Sequence, residues 1–280
     1  MADYPGPIEA VRAYLGERRI GEAVFAVATP VVADRIALTN APWDFSIAAT
    51  CQALGFDRLR VINDFTAQAL AIPVLRPDEL QKIGGGEPVP GHAIGVIGPG
   101  TGLGVGGLLP AGDHWQPIPG EGGHVSLAPH DEVEQAVLSV LRARFGHVSN
   151  ERVMSGPGLV NLATALAALD GVELALAEPM EVAERARGGG CRFCVAALRH
   201  FSSMLGAAAG DLALTLGARG GIYVGGGLCR SLGDLFEHDR FRAGFVAKGR
   251  LRYFVEPIPS FLVLHHDPGL LGAAALALAP

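Results

Sequence analysis

Lysine is nearly absent from this chain of 280 residues, and the two that occur are Lys82 and Lys248. Neither is followed by serine or threonine. This excludes the Walker A phosphate loop, whose lysine reaches the phosphates and whose hydroxyl binds Mg²⁺. The formal net charge of −6 excludes a surface that follows a nucleic-acid backbone by counterion release. Aromatic residues make up 6% of the chain and are not interleaved with basic ones, so we predict no nucleic-acid partner.

Cysteine is also scarce, and the four cysteines give no basis for a disulfide framework. Cys191 and Cys194 have the spacing of a metal-binding pair, but a structural zinc ion needs four ligands and no second Cys/His pair lies nearby in the sequence. The pair starts a helical pattern and lacks the strand-helix-strand context of thioredoxin-like motifs. We therefore interpret both as reduced cysteines at a helix start, and we predict no metal-binding residues.

Long apolar segments are missing as well. Residues 1–20 carry several charges and no apolar core, so no signal peptide is predicted. The uncharged stretch at residues 93–112 is half glycine and proline, which does not suit a transmembrane helix. We expect a soluble cytoplasmic protein with no membrane partner.

Strand and helix patterns occur together on both sides of a segment rich in proline and glycine, residues 73–92, which we interpret as a hinge. Such mixing predicts an α/β fold. The first strand is nearly all apolar, which predicts a central place in its sheet, and residues 35–39 are a candidate partner for it. The predicted strands are 22–29, 35–39, 58–62, 93–97, 103–109, 123–128, the start of 221–227 and 260–266; the predicted helices are 6–18, 46–54 with Ser46 as N-cap, 65–72, 131–145, most of 159–217, and 269–278.

Asp64 follows the β-branched run that ends at Ile62 and precedes a helical pattern. It therefore places a carboxylate at the carboxyl end of a buried strand, where open α/β sheets bind ligands. The commoner role of an aspartate at this position is to cap the helix that follows.

Two glycine-rich turns also follow short apolar runs. Residues 98–102 could present backbone N–H groups and the Thr101 hydroxyl to phosphate oxygens, or they could form a plain hairpin turn. Residues 225–227 could leave space for a ligand, or they could allow close packing of a strand on a helix. A formal G-x-G-x-x-G match at Gly102, Gly104 and Gly107 runs on into a strand pattern, whereas a dinucleotide fingerprint must open a helix.

Three further polar residues lie near glycines. Glu121 and His124 share the turn at residues 119–124, where the pair could bind a sugar diol, ligate a metal or be solvated. From the residues alone, sugar binding is about as well supported as metal binding or a solvated turn. Glu151 precedes another glycine-containing turn, and its default role is an exposed acid.

Five of these segments, in their order along the chain, resemble the motifs of bacterial ATP-dependent glucokinases. The opening and closing segments are similar too, so the resemblance covers essentially the whole chain. It implies a two-lobed hexokinase/actin-like (ribonuclease H-like) α/β fold with a cleft between the lobes, the smaller lobe comprising 1–74 and 266–280 and the larger 75–265. The five segments are INDFTA (62–67), GPGTGLG (98–104), PGEGGH (119–124), ERVMSGPGLVNL (151–162) and GGIYVGGG (220–227).

The resemblance implies phosphorylation of glucose to glucose 6-phosphate by ATP at the entry to glycolysis, with Mg²⁺ held through the nucleotide phosphates, and a possible homodimer. It implies that Asp64 is the general base that accepts the proton of the sugar hydroxyl. The other implied site residues fall into three groups: Asn63, Glu121, His124 and Glu151 with Asp64 for the sugar; Gly98, Gly100, Thr101 and Gly102 for the phosphates; and Gly225, Gly226 and Gly227 for the adenosine.

The chain departs from this family's pattern at its start. It has no Asp-x-Gly-Gly-Thr motif, which family members carry on an N-terminal hairpin that contacts the ATP phosphates. We expect several dozen preceding residues, and we expect the chain without them to bind ATP·Mg poorly. Alternative functions are a non-catalytic sugar-binding relative, a truncated gene product, or a kinase for another hexose, since epimers differ by the hydrogen bonds of one hydroxyl.

Overall fold

The structure is a computed structural model that describes residues 4–38 and 41–278. The chain divides into two compact units. Unit 1 comprises Met1–Arg76 and His265–Pro280, and unit 2 comprises Pro77–Leu264.

Strands and helices occur in both units. The strands of the described residues are β1 (Glu22–Val27), β2 (Arg35–Ala37), β3 (Asp44–Ser46), β4 (Arg58–Asn63), β5 (Leu80–Gly84), β6 (Ile94–Pro99), β7 (Leu103–Ala111), β8 (His114–Ile118), β9 (Ile222–Val224) and β10 (Ser260–Val263). Their α-helices are α1 (Pro7–Leu15), α2 (Ile47–Leu54), α3 (Asp64–Ala71), α4 (Glu132–Phe145), α5 (Gly156–Leu169), α6 (Pro179–Arg187), α7 (Arg192–Leu216), α8 (Leu228–Leu232), α9 (His238–Val246), α10 (Arg252–Val255) and α11 (Pro268–Leu278). Short 3₁₀ helices lie at Ile72–Val74, Pro77–Glu79, Gly122–His124, Asn150–Arg152, Gly233–Leu235 and Gly249–Leu251.

Unit 1 contains a parallel pair of strands, β1 and β4, whose register places Val27 opposite Asn63. Both strands therefore end at the same edge, and the carboxyl end of β4 leads directly into α3. The prediction that residues 35–39 pair with β1 is wrong, because β2 pairs antiparallel with β3. Thr39 lies outside the described residues. Within those residues β1 has β4 as its one partner, and its residues are exposed or only partly buried.

Helix α11 brings the end of the chain back onto unit 1, where it packs against α3 and β1. The approach to α3 requires Gly272, because a β-carbon there would overlap the carbonyl oxygen of Ala67. Arg60 on β4 donates a hydrogen bond from Nη2 to the carbonyl oxygen of Leu276 at 2.7 Å. The strand that leads to Asp64 is thus supported by the C-terminal helix.

Unit 2 is built on a six-stranded mixed sheet in the order β5-β10-β9-β6-β7-β8. Strand β9 lies parallel to both β6 and β10, and β7 is antiparallel to its two neighbours. Two predictions are corrected here. Part of the predicted hinge is the edge strand β5, and the predicted strand at 123–128 is a 3₁₀ turn followed by irregular chain, whereas β8 forms earlier in the sequence.

The helices of unit 2 surround α7, which packs against α5, α6 and α9. The crossing with α9 is close, because a β-carbon at Gly206 would overlap the carbonyl oxygen of Phe241. Phe201, Phe241 and Phe245 are among the fully buried side chains at this crossing. Burial of large aromatic side chains stabilises the unit by about 1.5–3 kcal/mol each.

None of the helices formed by the described residues combines the length and the apolar character that a membrane crossing requires.

Candidate active site

The carboxyl end of β4 is organised by Asn63, which is the N-cap of α3. Its Oδ1 accepts hydrogen bonds from the backbone N–H groups of Phe65, at 2.8 Å, and Thr66, at 3.2 Å. Its Nδ2 donates to the carbonyl oxygen of Thr29, just beyond the end of β1, at 3.4 Å. Asn63 therefore caps α3, and Asp64 does not have the capping role that is common for an aspartate after a strand.

Asp64 is the first residue of α3 and is half-buried. Burial raises the pKa of its carboxyl group, although the N–H groups of Phe65 and of Asp64 itself oppose the shift. A carboxylate with a raised pKa is a stronger base than one in water. The position therefore suits proton abstraction.

Residues 98–102, the first glycine loop, comprise the last two residues of β6 and the turn that leads into β7. The loop is closed by a hydrogen bond from the N–H of Gly100 to the carbonyl oxygen of Gly102, at 2.8 Å. The N–H of Gly156, at the start of α5, donates to the carbonyl oxygen of Gly100, also at 2.8 Å. Thr101 is exposed at the tip of the loop. The positive end of the α5 dipole thus lies beside the loop, which favours anions there.

Residues 225–227, the second glycine loop, follow β9 and lie against the first. The N–H of Gly225 donates to the carbonyl oxygen of Ile97 at 2.8 Å. Gly226 has a φ of +73°, and a β-carbon on it would overlap the carbonyl oxygen of Pro99. A β-carbon on Gly227 would meet no atom within 4 Å. The second glycine loop therefore combines one glycine required by packing with one that borders open space.

The turn at residues 119–124 carries Glu121 and His124, which are both exposed. The N–H of His124 donates to the carbonyl oxygen of Glu121 at 2.9 Å, which closes the 3₁₀ turn. Between them, Gly123 packs directly on the carbonyl oxygen of Leu103 at the start of β7. This packing fixes the turn beside the end of the first glycine loop.

Glu151 lies in the 3₁₀ helix that precedes α5 and is half-buried. Its Oε2 accepts the backbone N–H of Leu103 at 2.9 Å. The same 3₁₀ helix joins the turn of Glu121 and His124, because the N–H of Asn150 donates to the carbonyl oxygen of Val125 at 3.0 Å. Glu151 is therefore tied both to the first glycine loop and to the neighbouring polar turn, and it is not a plain surface acid.

Comparisons with known proteins identify the family to which this chain belongs. The sequence model of the glucokinase family matches residues 1–279. The glucokinase of Cronobacter sakazakii is 47% identical over 275 residues, which cover 98% of this chain and 86% of the relative.

The chain belongs to the glucokinase family.

Solved structures agree with this assignment. The crystal structure of a glucokinase from an Antarctic psychrotroph has a TM-score of 0.90 and 37% identity, covering 99% of this chain and 87% of that one. A ROK-family glucokinase from Streptomyces griseus, solved in complex with glucose and AMPPNP, has a TM-score of 0.59 and 22% identity, covering 96% of this chain and 86% of that one. At this lower identity the likeness shows the fold alone, which is the actin-like ATPase fold.

The structure also shows a supporting residue that sequence patterns did not single out. Ser155 is buried; its hydroxyl donates to the carbonyl oxygen of Glu151 at 2.8 Å and accepts the N–H of Gly158 at 3.0 Å. It caps α5 and holds the Glu151 turn to the helix start. A serine immediately before the first residue of a helix is an N-cap signal, so this role could have been predicted.

The candidate site residues of this glucokinase-family chain thus fall into two groups. Unit 2 brings together both glycine loops, the polar turn with Glu121 and His124, and Glu151. Unit 1 holds Asn63 and Asp64 at the end of β4. Each group lies where strands end, as expected for an open α/β sheet.

A further polar cluster in unit 2 contains Asp131, Glu134 and His200, whose potential ligand atoms lie within 4.8 Å of one another; within the described residues it is the one group of three that could hold a metal ion. Glu134 is only 3% exposed. Burial raises the pKa of this carboxyl group. Hydrogen bonds from His200 and from the N–H of His130, together with the charges of both imidazoles, lower the pKa by more, so the net shift is downward. The cluster joins the start of α4 to α7.

Proposed function

We propose that this chain transfers the γ-phosphoryl group of ATP to the 6-hydroxyl of glucose, giving glucose 6-phosphate. The observation that carries the proposal is the half-buried carboxylate of Asp64 at the start of α3, in a chain that belongs to the glucokinase family. Phosphoryl transfer requires little covalent chemistry from a protein. It requires a positioned hydroxyl, a group to accept its proton, and donors for the phosphate oxygens.

Asp64 acts as the base. Its carboxylate accepts the proton of the sugar hydroxyl as the bond to phosphorus forms, and its raised pKa increases its affinity for that proton. The Oδ1 of Asn63 caps α3, so Asn63 binds the sugar through its Nδ2 group. In this structure Nδ2 donates to the carbonyl oxygen of Thr29. The cap fixes the backbone that carries Asp64.

Glu121, His124 and Glu151 bind sugar hydroxyls. The exposed carboxylate and imidazole of the polar turn supply both acceptors and a donor, which suits adjacent hydroxyl groups. One oxygen of Glu151 is occupied by the N–H of Leu103, which leaves the other to accept from a ligand hydroxyl.

The glycine loops bind the nucleotide. The residues present fit this substrate: Thr101 offers an exposed hydroxyl, the start of α5 lies beside the first glycine loop, and Gly227 borders space that a purine could fill. Mg²⁺ bound to the phosphates supplies charge neutralisation and belongs to the proposal. A glucokinase with glucose and AMPPNP bound, from Streptomyces griseus, supports the pairing of the two substrates.

A coupled assay for glucose 6-phosphate tests the proposal, with ATP as donor and with mannose and glucosamine as competing acceptors. We expect turnover that requires both ATP and Mg²⁺ and a higher kcat/KM for glucose than for either competitor. Glucose binding without turnover would instead indicate the non-catalytic sugar-binding alternative. A higher kcat/KM for mannose or glucosamine would identify a kinase for another hexose.

A further inference from the structure

Cys191 and Cys194 stand together at the first turn of α7. Cys191 is the N-cap of this helix, and its sulfur accepts the backbone N–H of Cys194 at 3.4 Å. The Cys194 thiol also lies within hydrogen-bonding reach of the Cys191 sulfur. The Cys191 sulfur therefore lies against the backbone of Cys194, the third residue of the helix.

The two thiols differ in access. Cys191 is partly exposed, whereas Cys194 is buried with an exposed fraction of 0%. Cys191 borders an open cavity of about 750 Å³, which is also lined by the three glycines at residues 188–190 and by Arg185 and Arg192. A molecule of peptide size can thus approach the first sulfur but not the second.

The surroundings of Cys191 favour its thiolate. Burial raises the pKa of this thiol, but the hydrogen bonds from the Cys194 thiol and from the N–H groups of Cys194 and Phe193, with the positive charge of Arg185, outweigh it and lower the pKa. Burial and the neighbouring Cys191 sulfur raise the pKa of Cys194 to about 12. Helix N-termini, nearby arginines and the Cys-x-x-Cys arrangement are the usual causes of a reactive thiolate.

We propose that Cys191 and Cys194 form a thiol–disulfide exchange pair, in which Cys191 attacks a small-molecule disulfide of the glutathione type and Cys194 completes an intramolecular disulfide. The Cys191 thiolate attacks one sulfur of oxidised glutathione, so that the glutathione S–S bond breaks, one glutathione leaves as a thiolate, and a mixed disulfide forms. Cys194 then gives its proton to the departed glutathione thiolate and attacks the Cys191 sulfur, so that the mixed S–S bond breaks and the second glutathione leaves as a thiolate. Two protein thiols are oxidised by two electrons, and one disulfide is reduced to two thiols.

Metal binding is the other use of such a pair, and the surroundings do not favour it. Within the described residues, the group of three potential metal ligands consists of Asp131, Glu134 and His200 and includes neither cysteine. Structural zinc requires four ligands. The pair is therefore assigned to exchange chemistry and not to a metal.

The remaining cysteines provide internal controls. Cys51, in unit 1, is partly exposed like Cys191, and its thiol donates to the carbonyl oxygen of Phe56 at 3.3 Å. Cys229 is fully buried, and burial raises the pKa of its thiol well above the ordinary value. Neither is placed three residues from another cysteine.

The test uses the full, reduced chain incubated with oxidised glutathione, quenched with an alkylating reagent and mapped by peptide mass spectrometry. We expect a Cys191–Cys194 disulfide to form about tenfold faster or more than any adduct on Cys51. Cys194→Ser should accumulate glutathione on Cys191. Cys191→Ser, which keeps a good N-cap, should leave Cys194 unmodified.

Circular dichroism of each variant establishes that it is folded, and Cys194→Ala replaces Cys194→Ser if the serine is not tolerated at the buried position. Equal or faster modification of Cys51 would overturn the proposal. So would a folded Cys194 variant that does not trap glutathione on Cys191. Zinc bound in a one-to-one ratio and lost on Cys194→Ser would reassign the pair to a metal.

Discussion

The two units present their candidate chemistry by different means. Unit 1 relies on side chains: Asn63 caps a helix, and Asp64 offers a half-buried carboxylate. Unit 2 relies largely on backbone: two glycine loops lie against each other, and Gly123 of the polar turn packs on the carbonyl oxygen of Leu103. A side chain can be exchanged while the fold is kept, whereas a loop whose shape depends on a missing β-carbon cannot accept one without moving.

This difference separates catalysis from stability in a testable way. Substitutions at the end of β4 should change turnover and leave unfolding nearly unchanged. Substitutions at packed glycines of unit 2 should change both. The four predictions that follow run from the largest expected effect to the smallest.

The largest effect is expected for Asp64→Asn, which removes the base and leaves the Asn63 cap in place. We expect kcat for glucose phosphorylation to fall by about 10²–10⁴. The thermal unfolding midpoint should change little. The matched control is Asp57→Asn, because Asp57 is exposed and precedes β4 while Asp64 follows it.

The pH dependence of kcat/KM adds a second measurement for Asp64. Since burial raises the pKa of Asp64 above the ordinary value of an aspartate, the active carboxylate form should be lost as the pH falls through that raised pKa. Asp64→Asn should abolish this acidic limb. A variant that keeps kcat within about threefold of the parent would exclude Asp64 as the base.

The next effect is expected for Gly226→Ala, which tests the backbone half of the comparison. The new β-carbon would overlap the carbonyl oxygen of Pro99 at a backbone φ of +73°. We expect a loss of about 1–3 kcal/mol in the free energy of unfolding and a higher KM for ATP, because the two glycine loops must separate. Chemical denaturation and initial-rate kinetics measure the two quantities.

Gly227→Ala is the matched variant, because a β-carbon there meets no atom within 4 Å. It should leave the free energy of unfolding unchanged while raising the KM for ATP if the nucleotide occupies that space. Equal destabilisation by both substitutions would show that packing against Pro99 does not fix the second glycine loop. An unchanged KM in both variants would remove this loop from the nucleotide site.

Smaller effects are expected for the side chains of unit 2. Glu151→Gln keeps an acceptor for the N–H of Leu103 and removes the charge, so the turn should persist. Glucose binding should weaken by about 1–3 kcal/mol in Glu151→Gln and in Glu121→Gln, because a ligand hydroxyl loses a charge-assisted hydrogen bond. Calorimetry measures the affinity, with Glu173→Gln at an exposed position as control. An unchanged affinity for glucose in both variants would show that Glu121 and Glu151 do not bind the sugar.

Most helix boundaries could be predicted because particular residues mark them. Ser46 caps α2 and Asp131 caps α4, each through its side-chain oxygen. Strand pairing could not be predicted in the same way. The β2 strand pairs with the short β3, whose three residues include a polar residue at each end and give almost no pattern, and β5 lies in a segment whose prolines and glycines suggest a hinge. Partners in a sheet are chosen by long-range packing, which local patterns do not contain.

The position of Asp64 at the end of a strand was predictable, because a β-branched run stops just before it. The division of roles between neighbours was not, because it depends on side-chain direction: Asn63, and not Asp64, caps α3. The contact between Gly226 and Pro99 was also beyond sequence patterns, since the two residues are joined only by the parallel pairing of β6 and β9. Neither loop alone shows that the other is its neighbour.

The smallest effect is expected from the second shifted carboxylate, Glu134, which contrasts with Asp64. Burial acts on both groups, but at Glu134 the hydrogen bonds and charges of His130 and His200 outweigh it, so its pKa lies below the ordinary value of 4.5. A carboxyl group whose pKa is depressed in the folded state adds stability at pH values above its unfolded pKa. This contribution is lost as the pH falls through the folded pKa.

We therefore expect the difference in unfolding free energy between the parent and Glu134→Gln to be largest near neutral pH and to narrow as the pH falls below about 4.5. Denaturation measured across this range tests the prediction, and Glu132→Gln, at an exposed position in the same helical turn, is the control for the change in net charge. A difference that stays constant with pH would mean that Glu134 contributes through packing and not through its charge. If the difference in unfolding free energy widened as the pH fell, the pKa of Glu134 would be raised in the folded state. Burial would then dominate at Glu134 as it does at Asp64, and the contrast between the two carboxyl groups would be lost.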